Sequence, residues 1–370
     1  MTALSSQLSA DNLSVFFGTA RSQYAASTGI YSIELNSTNG EFIDAPGVAA
    51  ELDSPGFIVL HPRLPVLYAL ATAEDGKGST MNSFTLAVAP GQQGLEPLNS
   101  VDTGCAKATH MDVDPSGRML VSVHYGEGTV AVFPLEADGR LHEPSQVLRH
   151  TDSSGVNAGR QKGPHPHCAT FDPSGSFVLI PDLGADTVYI YKVDYETDQL
   201  SSHRRFKSAP GAGPRHIKFS RDGRFAYIVN ELSLTVDTCA WDAVSGELKP
   251  IATVTSLPAD MREPEANYTA SEIQLHPSGN FLYTAIRGHD SISLFSIDPA
   301  SGIPLLEEVV PARVEWPRHF SLDPEGRYLV CAGQFSHNAN VFAVDPQSGR
   351  LSHLPFPPIE VPGPICVLIR

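Results

Sequence analysis

What most constrains this chain is a unit that recurs along it. An apolar strand is followed by an Asp/His-Pro-x-Gly turn, a second apolar strand, a polar loop, a third strand, and a Gly-containing turn into a fourth. Six copies are read from the turns His61-Pro-Arg, Asp114-Pro-Ser-Gly117, Asp172-Pro-Ser-Gly175, Ser220-Arg-Asp-Gly223, His276-Pro-Ser-Gly279 and Asp323-Pro-Glu-Gly326, spaced about 47 to 58 residues apart. Proline suits the second position of a tight turn and glycine tolerates the positive φ that follows, so these turns are hairpin chemistry rather than catalysis. The two ends complete a seventh unit. Gly363-Pro-Ile-Cys-Val-Leu-Ile369 matches the first strand of a repeat, while Val15–Thr19 and Gly29–Leu35 match the second and third. A blade shared between the termini closes a ring and removes its free sheet edge. The expectation is an all-β, seven-bladed β-propeller forming one domain over residues 1–370.

Composition narrows the function. Hydrophobic residues make up 41% and charged residues 18%, which suits a folded chain with a sizeable core. The formal net charge is -16 with only 25 Lys and Arg, so nucleic acid is not an expected partner. An acidic protein that handles an anion must instead concentrate its few cations locally. The opening MTALSSQLSADNLSVFF lacks a basic segment followed by an apolar one, and no long apolar run occurs; no membrane association and a cytoplasmic location are expected. Five scattered cysteines form no CxxC pair, so neither a disulfide framework nor a cysteine zinc site is expected.

Aligning the copies sets one position of each first strand in column: Gly56, Thr109, His167, Arg215, Ser271, Arg318 and Ile365. Two residues later the column becomes apolar, as Ile58, Met111, Ala169, Ile217, Ile273, Phe320 and Val367, the period-2 sign of packing between blades. The second strand runs back to the same end, and its last positions read Tyr125, Leu183, Glu231, Arg287 and Gln334. One mouth of the ring is therefore expected to gather His167, Arg215, Arg318, Glu231, Arg287 and Gln334. Two irregular insertions lead to that mouth, 150–163 with Arg160 and Lys162, and 257–269 with Arg262 and Glu263. In the run His165-Pro-His167, Pro166 and the strand register turn the two histidines apart, so His165 is assigned to the loop. Cys168 is expected to alternate onto the opposite side of its strand, and Trp241 and Trp316 to pack within blades.

At these residues the match becomes specific. GPHPHCATFDPSG with PDLGADTVYIY, then GPRHIKFSRDGRFAYIVNELSLTV, HPSGNFLYTAIRGHDSISLF and WPRHFSLDPEGRYLVCAGQFSHNANVF, resemble the propeller-type lactonase family, which includes bacterial 6-phosphogluconolactonases and the fungal 3-carboxy-cis,cis-muconate lactonizing enzyme. The resemblance covers nearly the whole chain and is densest from Gly163 to Phe342. It implies that the family's histidine falls on His167, its two arginines on Arg215 and Arg287, and its glutamate on Glu231. The wording VNEL, PDLG and AGQFSH is nearer the phosphogluconolactonase branch, which implies hydrolysis of 6-phospho-D-glucono-1,5-lactone in the pentose phosphate pathway.

Opening such a lactone requires a deprotonated water, stabilisation of an oxyanion and a hold on the anionic tail. Glu231 is one candidate base: apolar neighbours raise a carboxyl pKa toward neutrality, and nearby arginines pull it down. His167 is the rival base, or the acid that protonates the leaving ring oxygen. Arg215 and Arg287 suit anchoring and oxyanion stabilisation, and Arg318, Gln334, Arg160 and Lys162 are candidate substrate contacts. Neither a metal nor another cofactor is expected. Two alternatives stay open: a carboxymuconate cyclase using the same groups, and a non-catalytic propeller platform.

Overall fold

A computed structural model describes residues 12–23, 25–86, 94–263 and 265–370. Most of the opening stretch MTALSSQLSADNLSVFF lies outside the described residues.

Seven antiparallel sheets form a ring, and within most of them each strand pairs with the next in the chain. The first blade is Phe57–Leu60, Val66–Thr72, Ser79–Leu86 and Leu95–Asp102; the second is Ala108–Val113, Met119–His124, Thr129–Pro134 and Gln146–Arg149. The third is Thr170–Phe171, Phe177–Asp182, Thr187–Asp194 and Gln199–Lys207, and the fourth Pro214–Phe219, Phe225–Asn230, Thr235–Asp242 and Glu247–Thr255. The fifth is Thr269–Leu275, Phe281–Arg287, Ser291–Ile297 and Pro304–Pro311; the sixth is Pro317–Leu322, Tyr328–Gly333, Asn338–Val344 and Leu351–His353, with Ile359–Glu360 added at its edge. The seventh joins the termini: Pro364–Ile369 pairs with Leu13–Thr19 in the register Val15↔Ile369 and Phe17↔Val367. The shared closing blade and the propeller fold are as the repeat predicts.

The core lies between blades. Seven apolar clusters occupy the seams, and the predicted column Ile58, Met111, Ala169, Ile217, Ile273, Phe320 and Val367 is buried throughout. The turns are structural. Asp172 accepts the Phe177 amide at 2.8 Å and Asp323 that of Tyr328 at 2.7 Å, and the following glycines, such as Gly175 at φ 72°, sit in the left-handed region. Where histidine replaces aspartate, His61 reaches the Gly117 carbonyl of the next blade at 3.1 Å, and His276 that of Gly326 at 2.9 Å.

One feature of the inner strands departs from strict alternation. The pairing slips by one residue between Ala108 and His110, Pro214 and His216, Ala270 and Ile273, and Pro317 and His319, and at Pro364–Cys366 opposite Gly18–Thr19. A bulge of this kind turns two consecutive side chains to one side. The axis is lined by two stacked rings: the aligned column Gly56, Thr109, His167, Arg215, Ser271, Arg318 and Ile365, and beneath it Phe57, His110, Cys168, His216, Glu272, His319 and Cys366.

Candidate active site

A cleft of about 650 Å³ opens at the mouth of the ring, lined among others by Lys107, Tyr125, Arg160, His167, Glu231, Arg287 and Arg318. A narrower space of about 80 Å³, bordered by His167, Arg215 and Arg318, continues down the axis. His167 and Arg318 belong to both. Five of the eight predicted site residues thus share the cleft, and Arg215 stands directly beneath it.

Glu231 organises the charge. It follows Asn230 at the end of the second strand of the fourth blade, is 2% exposed, and its backbone amide donates to Gly213 at 2.8 Å. Its Oε2 accepts from Arg215 Nε at 3.1 Å, while Oε1 meets Arg287 Nη2 at 3.0 Å and Arg160 Nη2 at 2.6 Å. Burial alone would raise this carboxyl, but Arg287, Arg215 and Arg160 outweigh it and hold the pKa at about 2. Of the two opposing influences expected from the sequence, the arginines win. Glu231 is therefore a fixed anion and a poor proton acceptor.

The arginines remain charged. Burial, then the neighbouring Arg287, lowers Arg215 to about 9 and Arg318 to about 10, both still above neutrality. Arg215 Nη1 also donates to His216 Nε2 at 3.1 Å and to the Ser271 carbonyl. Arg287 Nη2 donates to Ala270 O at 3.1 Å, its guanidinium lies 5.5 Å from the Trp316 ring centroid, and its buried Nε has no hydrogen-bond partner. Arg318 makes no hydrogen bond or ion pair among the described residues. Four guanidiniums around one carboxylate leave an excess of positive charge for an anionic ligand.

His167 is 5% exposed, and its Nδ1 is buried without a hydrogen-bond partner. Its ring stands edge-on to Tyr125 at 5.5 Å and to His216 at 5.2 Å. Burial first, and then the field of Arg215, His216, Arg318 and Arg287, pushes its pKa well below the ordinary histidine value, so it is neutral at physiological pH.

Three placements differ from expectation. Gln334 borders a separate pocket with Phe335, His337 and Gly363, although its backbone amide donates to Trp316 O at 3.1 Å, the same register contact that Glu231 makes to Gly213. Lys162 is exposed and outside the cleft, although its neighbour Gln161 is buried and anchors the insertion to Asp186 at 2.6 Å and Leu183 O at 2.9 Å. His165, assigned to the loop, also lines the cleft: its ring stacks on Tyr125 at 4.3 Å and Nδ1 meets the Tyr125 carbonyl at 2.9 Å. Of the two insertions, 150–163 delivers Arg160 across the mouth, where Nη2 also meets Tyr125 Oη at 3.2 Å. In the other, Arg262 folds back onto Leu257 O at 2.6 Å.

Lys107 and Tyr125 were not singled out as site residues by the sequence. Lys107 lies in the left-handed region at φ 57°, and its stem lies so close to Gly126 that a Cβ there would stand 2.3 Å from Lys107 Cδ. The signal available was Lys107-Ala-Thr109 leading into an aligned first strand. In the second ring, His110, Cys168 and His216 bring one ligand atom each within 4.8 Å of the others. A metal fits poorly there. Both nitrogens of His216 are engaged, by Glu272 at 2.9 Å and Arg215 at 3.1 Å; burial pushes the Cys168 thiol up to about 12, and Lys218 and Arg215 add positive charge.

Comparison with known proteins accords with this arrangement. The family described as lactonase, 7-bladed beta-propeller, matches residues 14–369. The 6-phosphogluconolactonase of Bacillus subtilis is 34% identical, with 92% of this chain and 94% of that protein covered; that of Formosa agariphila is 30% identical, with 89% and 92% covered. Among solved structures, the periplasmic gluconolactonase of Pseudomonas aeruginosa superposes with a TM-score of 0.88 at 30% identity, covering 97% of this chain and 99% of that one. A putative 6-phosphogluconolactonase from Bacteroides fragilis gives 0.87 at 27% identity, covering 98% and 99%. With its seven blades, its clasp and a cationic cleft at the axis, this chain belongs to the lactonase family of seven-bladed β-propellers.

Proposed function

We propose that the protein hydrolyses a sugar lactone, 6-phospho-D-glucono-1,5-lactone, to 6-phosphogluconate, with His167 as the base. The observation that carries this reading is the buried, neutral His167, whose Nδ1 has no partner and whose ring borders a cleft walled by arginines. Water attacks the lactone carbonyl as His167 takes its proton, and negative charge grows on the carbonyl oxygen. Arg215 and Arg287, held by the Glu231 carboxylate, stabilise that charge without having to reorganise. The C–O bond to the ring oxygen then breaks, and the imidazolium returns its proton to that oxygen. The sugar chain is released open, with one water added. Glu231 acts as the fixed counter-ion that aims the arginines.

A low histidine pKa gives a weak base in the empty cleft. The dianionic phosphate of the substrate offsets part of the arginine field and moves His167 upward as it binds. Lys107, Arg160 and Arg318 are the cations assigned to that phosphate, because the first two reach the cleft from its rim and the third is unpaired. A phosphorylated substrate is an intracellular one, which fits a cytoplasmic enzyme with five buried, free cysteines. No helix among the described residues is long and apolar enough to cross a membrane.

The test is product release from freshly generated 6-phosphoglucono-δ-lactone with spontaneous hydrolysis subtracted, run beside unphosphorylated glucono-δ-lactone. Acceleration by the wild type and a loss of about 10²–10⁴-fold in His167→Ala, with an unchanged unfolding midpoint, supports the reading. Acceleration confined to the unphosphorylated lactone would transfer the assignment to that substrate.

A further inference from the structure

The second ring beneath the cleft has no part in the chemistry above, yet it touches Arg215. We propose that Glu272 and His216 form a positioning relay that fixes the Arg215 guanidinium, and through it Glu231, in the orientation the reaction needs. This inference rests on the lactonase reading for its kinetic consequence but not for its structural one.

The hydrogen-bond directions follow from the partners. A guanidinium can only donate, so the 3.1 Å contact between Arg215 Nη1 and His216 Nε2 requires a lone pair on Nε2. The proton of neutral His216 is therefore on Nδ1, which donates to Glu272 Oε2 at 2.9 Å. His319 is fixed independently: its Nδ1 accepts the Val367 amide at 3.2 Å, so its Nε2 carries a proton and donates to the same Glu272 oxygen at 3.2 Å. Gln274 Nε2 completes the carboxylate at Oε1, 3.0 Å away. Glu272 and Arg215 are 1% and 2% exposed, so water does not substitute for these partners.

The chain of contacts thus runs Glu272, His216, Arg215, Glu231, and it has one allowed arrangement of protons. Burial, then Arg215, Lys218, His319 and Arg318, keeps His216 neutral; a proton on Nε2 would face an Arg215 N–H. With Nε on Glu231 and Nη1 on His216 and Ser271, only Nη2 of Arg215 lacks a protein partner among the described residues. The relay leaves that nitrogen for the ligand. It depends on the bulge between Pro214 and His216, which turns both Arg215 and His216 to the axis.

The experiment compares His216→Phe, His216→Gln and His319→Phe by kinetics on the lactone and by the exchange rate of the Arg215 Nε proton in selectively ¹⁵N-arginine-labelled protein. The expected result is a kcat about 10- to 100-fold lower for His216→Phe, with KM within about threefold of wild type. His216→Gln, whose amide oxygen accepts from Arg215, recovers most of the rate, and His319→Phe keeps it. Arg215 Nε exchanges at least about tenfold faster in His216→Phe than in the wild type or His216→Gln. Unchanged exchange and kcat in His216→Phe would overturn the proposal, as would an equal kcat loss in His319→Phe, which would mean that the buried layer serves packing alone. If His216→Phe does not fold, His216→Asn, too short to reach Arg215, takes its place under the same criteria. A wild type that opens no lactone defeats the functional reading, while the exchange rates still decide the relay.

Discussion

Replacing Glu231 by glutamine should destabilise the protein in a way that reveals which electrostatic influence controls the site. The carboxyl is shifted from an ordinary 4.5 to about 2, and at 1.36 kcal/mol per pKa unit the folded state gains about 3 kcal/mol from ionisation at this one position. Glu231→Gln keeps the shape but removes the only carboxylate among the described residues that pairs with Arg160, Arg215 and Arg287. Losing one partner of a buried ion pair costs on the order of 3 kcal/mol or more. With an unfolding entropy of about 2.1 cal/mol/K per residue, that amounts to roughly 4 °C in Tm for a chain of this size. The sign with pH is fixed. A depressed carboxyl contributes fully above its unfolded value near 4.5, and the contribution is lost as pH falls through that value toward about 2. Calorimetric melts of wild type and variant from pH 7 to pH 3 should show a gap that is constant down to about pH 5 and narrows below it. A variant as stable as the wild type at pH 7, or a gap that closes between pH 7 and 5, would refute the argument and restore Glu231 as a candidate base of raised pKa.

Further outcomes follow from the same cleft. Lys107→Ala should raise KM for the phosphorylated lactone by about tenfold, as expected for the loss of one charge-assisted contact. It should leave turnover of the unphosphorylated lactone unchanged; an equal effect on both would remove Lys107 from phosphate recognition. Inorganic phosphate should inhibit competitively and raise Tm, by about 1.4 kcal/mol of stabilisation at tenfold its Kd. It should also narrow the stability gap of Glu231→Gln by supplying the missing negative charge, and no shift in either protein would contradict an anion site at the arginines.

Much of this was legible in the linear sequence because repetition makes register visible. The turn glycines and the period-2 apolar column fix where each inner strand lies, so residues as distant as His167, Glu231 and Arg318 could be placed at one mouth before any coordinates. The same alignment carried Gln334 to that mouth, and there it fails. Register fixes the backbone of Gln334, whose amide bond to Trp316 O matches that of Glu231 to Gly213, but not the way its side chain leaves the strand, and Gln334 lines another pocket. Lys162 fails for a related reason, since an irregular insertion has no period, and only its packing shows that Arg160 points inward while Lys162 does not.

What the sequence determined by itself, then, is the ring, its closure, and the residue types that meet at the axis, because strand alternation and turn chemistry are local rules repeated seven times. Two matters were left to the tertiary structure. The bulge at the head of the inner strands is a pairing event between strands, invisible in either alone, and it turns His216, Glu272 and His319 to the axis in a second ring. The protonation of the site was likewise undecided, because burial and three arginines act on Glu231 in opposite directions. Only their distances, between 2.6 and 3.1 Å, show that the arginines prevail and make Glu231 their anchor.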